Sequence, residues 1–354
     1  MNIIHKKTSI ARSEPLQVGQ TAKEEGSTKR MATSVEGNLR LLETFELPKE
    51  VMNCRFNPNG DLLAVGLANG VIKVYSVESK TCVYSIPNPN SDLPVTCLRW
   101  KPDTRDQTYA NVVTATYASG DVKQWHVSSG KCLWTVKEDR QVLTCSISSN
   151  AGRFLTSGSD AKVYLYDAST RNVLNTFEAS TKYQFMDGHT MRVFVVQFQP
   201  DNPNVFVSGG WDDTVQWWDV RQDPCHNIRK IVGPHICGEG LDIEPTSLNI
   251  VTGSWRKDNN VQVWDFHSGN LIKDVPSDFN RSMIYTVQWK NPDTIITGGS
   301  HCNMMRFINY KSMTTTGRLM DLPGAVYSVD NNHKGPQSAV AVGCADKVFL
   351  VQGI

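Results

Sequence analysis

The chain has 354 residues, 40% hydrophobic and 20% charged, with 36 Lys plus Arg against 35 Asp plus Glu. That is enough apolar material for one large domain or two ordinary ones, and a formal charge of +1 leaves no electrostatic footprint for nucleic acid or an anionic membrane. No apolar run approaches the ~20 residues that span a bilayer. The opening MNIIHKKTSIARSEP also lacks a continuous apolar segment of signal-peptide length. A cytoplasmic location is therefore expected, with nucleus or cilium as alternatives. Nine cysteines without a CxxC pair read as reduced, packed side chains rather than disulfides or metal ligands.

Taken in chain order, residues 1–38 are polar, mix Lys6, Lys7, Arg12, Lys23, Lys29 and Arg30 with Glu14, Glu24, Glu25 and Glu36, and show no periodicity. They are expected to be a disordered tail. LLETFEL (41–47) reads as an isolated strand. A four-strand unit then begins to repeat. Its first strand is seen in VMNCRFNP, VTCLRWKP and VFVVQFQP; its second in LLAVG, VVTAT, FLTSG, VFVSGG, IVTGS, IITGGS and AVAVGC. The third follows within a dozen residues, as in VIKVYS, TVQWWD and KVFLVQ, and the fourth in CVYSI, CLWTV, VLNTF and LIKDV. These runs are rich in β-branched and aromatic residues with turn formers between them. Matched positions from Gly66 through Thr116, Gly158, Gly209, Gly253 and Gly298 to Gly343 lie 42 to 51 residues apart. Four strands at that period are the signature of propeller blades.

The seventh unit ends at Ile354 directly after its third strand, one strand short. Pairing 41–47 with the last unit would close the ring and remove two exposed sheet edges. The expected fold is thus all-β: a seven-bladed propeller over 39–354, with the number of strands that closure needs.

The dipeptides Trp218-Asp219 and Trp264-Asp265, the variant Tyr166-Asp167, and Gly188-His189 with Ser208-Gly209 identify the chain as resembling the WD-repeat family. The resemblance implies a hydrogen-bonded tetrad of Trp218, Ser208, His189 and Asp212 in unit four, and a second of Trp264, Thr252, His235 and Asp258 in unit five. Units one, six and seven lack the Gly-His and the Trp, so no tetrad is expected there. Enzyme signatures such as GxxxxGK[ST], GxGxxG, HExxH and GxSxG are absent, and His126, Cys225, His226 and Cys237 are not spaced as a zinc site. The expectation is a non-enzymatic protein-interaction scaffold without cofactor or metal.

In this family the turn between second and third strands lies on the narrower face. Those turns carry Trp211, Trp255-Arg256 and His301 in units four to six, and Arg192 precedes the first strand of unit four. Trp and Arg are enriched in binding hot spots, so these five residues are the candidate contact for a partner's peptide or loop. The same tryptophans also suit a role as half-buried caps over the packing between blades. A second feature is Trp218-Asp219-Val220-Arg221, which resembles the box through which WD-repeat substrate receptors contact the adaptor of cullin–RING ubiquitin ligases, with Asp219 and Arg221 as the contact residues. A cytoskeletal or ciliary structural role is a further alternative. The insertion EASTKYQFMD (178–187), with Tyr183, Phe185 and Met186, either marks a contact or tucks against blade four.

Overall fold

The computed structural model describes residues 33–89, 91–102, 111–180, 187–222, 226–335 and 337–354. Residues 1–32, expected above to be disordered, lie outside them, as do Tyr183, Phe185 and Met186 of the insertion. Seven antiparallel sheets follow one another along the chain. Blade one is typical, with strands Val51–Phe56, Leu62–Leu67, Ile72–Ser76 and Cys82–Ile86 from inside outward. The first strands of the others are Val95–Trp100, Val142–Ile147, Val193–Gln199, Leu241–Ile243, Met283–Asn291 and Val326–Asn331. Each touches the next around the axis, and Val326–Asn331 touches Val51–Phe56, so the ring is closed.

Burial explains the pattern of residue types. The second strands are sandwiched between neighbouring blades, so Leu62–Leu67 and Ala339–Cys344 are apolar throughout. The fourth strands lie at the rim and leave Val83, Val173 and Leu271 exposed. The core therefore sits between blades rather than within them. Ala64, Ile72 and Val74 of blade one, for example, pack with Leu98, Trp100, Val113 and Trp125 of blade two. The repeated small residue marks this contact: a Cβ on Gly66, Gly253, Gly298 or Gly343 would stand 2.4–2.7 Å from a Val or Ile side chain of the following blade. In blade three the matched residue is Ser157, paired with Thr144, and not Gly158, which falls one place on. The Ser157 hydroxyl donates to the Val193 carbonyl of blade four (3.0 Å).

Leu39–Glu46 pairs with Lys347–Gly353 as the outermost strand of blade seven, the closure expected from 41–47. The strand count needs correction, since closure uses one strand fewer than the chain supplies. Ser34–Gly37, within the stretch assigned above to the tail, pairs with Thr314–Met320 and gives blade six a fifth strand. Four residues with a single β-branched side chain carry too little periodicity to be read as a strand. The chain steps between the two blades at Gly37, whose φ is +70° and where a Cβ would lie 2.3 Å from the Thr316 carbonyl oxygen, a place open only to glycine. One segment thus straps two blades.

Candidate functional site

Blade four holds the expected tetrad. The Trp218 indole N–H donates to Ser208 Oγ (2.7 Å), Ser208 Oγ meets His189 Nε2 (2.7 Å), and His189 Nδ1 meets Asp212 Oδ2 (2.8 Å). Trp218, Ser208 and His189 are buried. Asp212 also accepts from the Thr190 N–H and the Thr214 hydroxyl. Burial works to raise its carboxyl, but the bond and charge of His189, with Thr214 and the Thr190 N–H, outweigh it and leave Asp212 below the usual carboxylate range. Each polar atom in the chain of bonds is paired, which removes the cost of burying it.

The second expected tetrad is corrected. Trp264 does donate to Thr252 Oγ1 (2.9 Å), but His235 instead meets Asp213 Oδ1 (2.7 Å), and Asp258 pairs with Arg281 (2.9 Å). Blade five keeps only the Trp–Thr half. Elsewhere a different residue in the connection leading into the first strand takes the place of His189. In blade three it is Glu138, which accepts from Thr156 Oγ1 and the Tyr166 hydroxyl and pairs with buried Arg140. In blade six it is Asp278, which accepts from Arg318 Nε (2.9 Å) and forms an ion pair with Arg306 (2.9 Å). In blade two, Asn88 Oδ1 accepts from the buried Lys123 ammonium (2.8 Å).

The candidate partner-binding residues do share one face. Trp211, in the second–third turn of blade four, donates its backbone N–H to the Arg192 carbonyl, which fixes both at the same end of the blade. The Arg192 guanidinium lies 5.4 Å from the centre of the Trp211 ring. Phe194 and His235 flank that ring, and its N–H donates to Cys237 Sγ (2.9 Å). Trp255 continues the row by donating its backbone N–H to the His235 carbonyl (2.8 Å). Its own ring is half-buried beside Tyr285 and His301, with a buried indole N–H that has no partner among the described residues. Arg256 spends a terminal nitrogen on the Gly233 carbonyl. Trp211 is 38% exposed and His301 is exposed.

Sequence reading missed the residues beside this row. Phe194, Tyr285 and Tyr327 each occupy the irregular residue at the start of a first strand, where the register shifts. The equivalents in blades one to three are Met52, Thr96 and Leu143. Tyr285 and Tyr327 pack edge to face at 5.1 Å. The aromatic sector therefore runs from blade four to blade seven.

A second group of polar residues surrounds the axis. Arg55, Arg99, Ser146, Gln197, Asp242, Gln288 and Asp330 hold one position in the seven first strands. Glu239 reaches in from blade five to pair with Arg55 and Arg99 (2.7 Å to Arg99) and accepts from Asn53 Nδ2 (2.9 Å). Burial opposes its charge, but the two guanidinium groups outweigh it and hold the carboxyl at about 2. This plug ties blade five to blades one and two. Below it, a cavity of about 370 Å³ is lined by Arg99, Gln197, Asp242 and Gln288 and, at its mouth, by Ser149 and Pro200, in first–second turns on the face away from the tryptophans. Asp219 and Arg221 also lie at the far end of blade four from Trp211. Arg221, with its side chain 66% exposed, closes a two-pronged pair on Asp219 (2.9 and 2.6 Å). Among the described residues, no three of His, Cys, Asp and Glu come together as a metal site.

A closed ring of four-stranded blades with a Trp–Ser–His–Asp network defines a propeller of the WD type. The chain belongs to the WD-repeat β-propeller family: residues 180–219 match the WD domain, G-beta repeat, and residues 21–166 match the model for the N-terminal β-propeller domain of nucleolar protein 10-like proteins. Neither match indicates an enzyme family, and a propeller of this type is typically an interaction scaffold. An uncharacterized WD repeat-containing protein of Schizosaccharomyces pombe is 24% identical over 306 residues, 75% of each chain. COMPASS component SWD1 of Saccharomyces cerevisiae is 25% identical over 207 residues, 56% of this chain and 47% of that one. The ribosome biogenesis protein YTM1 of Scheffersomyces stipitis is 31% identical over 119 residues, 33% of this chain and 24% of that one. The chain thus spans three quarters of the first relative and less than half of the other two.

Proposed function

We propose that this protein is a scaffold within a multiprotein assembly and grips a peptide or loop of a partner on the sector formed by Arg192, Trp211, Trp255, Arg256 and His301. The observation that carries the reading is the row of aromatic side chains along one face, most of which the tetrads and inter-blade cores do not use. A half-exposed Trp stacked with Arg, Phe and His is the composition of an interface hot spot. Relatives named as a component of COMPASS and as a ribosome biogenesis protein support a role inside a larger complex of some kind. The proposed compartment is the cytoplasm.

The test is affinity purification from native cells of wild type and the Trp211→Ala, Trp255→Ala double variant, with thermal unfolding to establish that both are folded. Each truncation is expected to cost about 2 kcal/mol, roughly thirty-fold in affinity, so the main partner is lost. Retention of every partner by a folded double variant overturns the reading.

A second reading, as the substrate receptor of a cullin–RING ligase, draws on the outward Arg221 and the carboxylate that orients it. Arg221→Ala would then abolish co-purification of the ligase adaptor while leaving partners of the tryptophan face in place. An adaptor that stays bound to this variant rules that reading out.

A further inference from the structure

We infer that the segment bound by this sector is acidic, an apolar side chain flanked by Asp or Glu; the inference rests on the peptide-binding reading above. The argument begins at the connection from blade five into blade six. Phe279 there is 93% exposed, the most exposed large apolar side chain in the described structure. An aromatic ring left in water costs free energy until something covers it. It borders a shallow cavity of about 460 Å³ lined also by Lys257, Arg281, Met283, His301 and Cys302. His301 stands against Trp255 at 6.2 Å, so this cavity continues the aromatic row.

The charges around it favour one sign. Lys257 and Arg192 have no carboxylate partner among the described residues, and Arg256 is bound to a carbonyl rather than an acid. Of the carboxylates on the same face, the exposed Glu50, Asp321 and Asp346 stand at the entry to blade one, in the connection after blade six and in the blade-seven turn, outside the lining of this cavity, and two stand in the turns of blades four and five. Asp213 is taken by His235, and Asp258 meets Arg281 in a pair whose side chains are 71% and 60% exposed. A pair that exposed is worth little, so Arg281 can exchange it for a ligand carboxylate at small cost. The carboxylate in the Phe279 connection itself, Asp278, points inward to Arg306 and Arg318 and is only 1% exposed. The connection thus buries its acid and presents Phe279 and Arg281. An acidic segment would set its apolar side chain against Phe279 and Met283 and its carboxylates against Lys257, Arg281 and Arg192. A basic segment would meet like charge at each of those points.

The test is selection from a random-peptide phage library on the full-length protein, followed by binding of the enriched peptides to folded variants. The expected enrichment is for Asp and Glu around a Phe, Leu or Met. The Lys257→Glu, Arg281→Glu double variant should lose about ten-fold or more in affinity, and Phe279→Ala a similar amount. Enriched peptides that are neutral or basic, yet lost on Trp211→Ala, Trp255→Ala, overturn the acidic assignment and leave the binding sector standing. Peptides indifferent to all of these changes, or no enrichment at all, overturn both.

Discussion

Glu239→Gln is expected to destabilise the propeller by roughly 3–5 kcal/mol at neutral pH, the usual consequence of removing one partner from a buried ion pair. Among the described residues the carboxylate is the only acid paired with Arg99, whereas Arg55 retains Asp330. An amide of the same shape turns a donor toward either Arg99 and Cys97 or Arg55, Asn53 and Ser328, all of which now use the oxygens as acceptors. The depressed pKa, which has the same two arginines as its cause, leads to a figure of similar size. A carboxyl at about 2 in the fold against an ordinary 4.5 contributes on the order of 3 kcal/mol at pH 7. Because the folded value is the lower one, that contribution is complete above about pH 4.5 and is lost as pH falls toward 2. The gap between wild type and Glu239→Gln in denaturant midpoint should therefore be constant from neutral pH down to about 4.5 and close below it. Adding Arg99→Met should recover part of the loss, since the unpaired guanidinium is removed. A loss under about 1 kcal/mol at pH 7 would show that the plug is not what joins blade five to the opposite side of the ring.

How much of this was legible in the sequence depends on whether an interaction repeats. Ring closure was, because every blade repeats the same strand order and an unpaired third strand at the C-terminus demands a partner. The blade-four tetrad was, because His189, Ser208, Asp212 and Trp218 stand at the family's spacing. His235 was misassigned because spacing alone does not distinguish a histidine aimed into its blade from one turned to the neighbouring Asp213. Glu239 was invisible for a different reason. It holds the position of Phe194 and Tyr285, so local pattern gives it no distinction, and its two arginine partners come from strands more than a hundred residues away. Tyr285 and Tyr327 were hidden by the irregular residue that opens each first strand, which a period-two reading assigns to the wrong side. The Ser34–Gly37 strand was too short to show periodicity at all.

Asp278→Ala is expected to be comparably severe, and to report on function as well as on stability. The carboxylate is almost wholly enclosed, pairs with Arg306, 4% of whose side chain is exposed, and accepts from Arg318. Its removal leaves a buried guanidinium without an acid, at about 3–5 kcal/mol. Burial acts to raise the Asp278 carboxyl, but Arg318 and Arg306 outweigh it and keep it below the usual carboxylate range, so this stabilisation too is present at neutral pH and disappears as the solution is acidified through the depressed pKa. The residue does for blade six what His189 does for blade four, but with two partners from the third and fourth strands, so it fixes the outer half of the blade as well as the entry to the first strand. That entry carries Phe279 and Arg281. Mild loss of stability in Asp278→Asn, which keeps one acceptor oxygen, should accordingly be accompanied by weaker capture of acidic peptides at temperatures where the fold is intact, whereas Glu138→Gln, at the corresponding place in blade three and away from the binding sector, should lower stability without that change. A denaturant midpoint unchanged in Asp278→Ala would refute the structural argument. Peptide capture equal in Asp278→Asn and Glu138→Gln would separate the connection's position from binding and confine the role of Asp278 to holding the blade together.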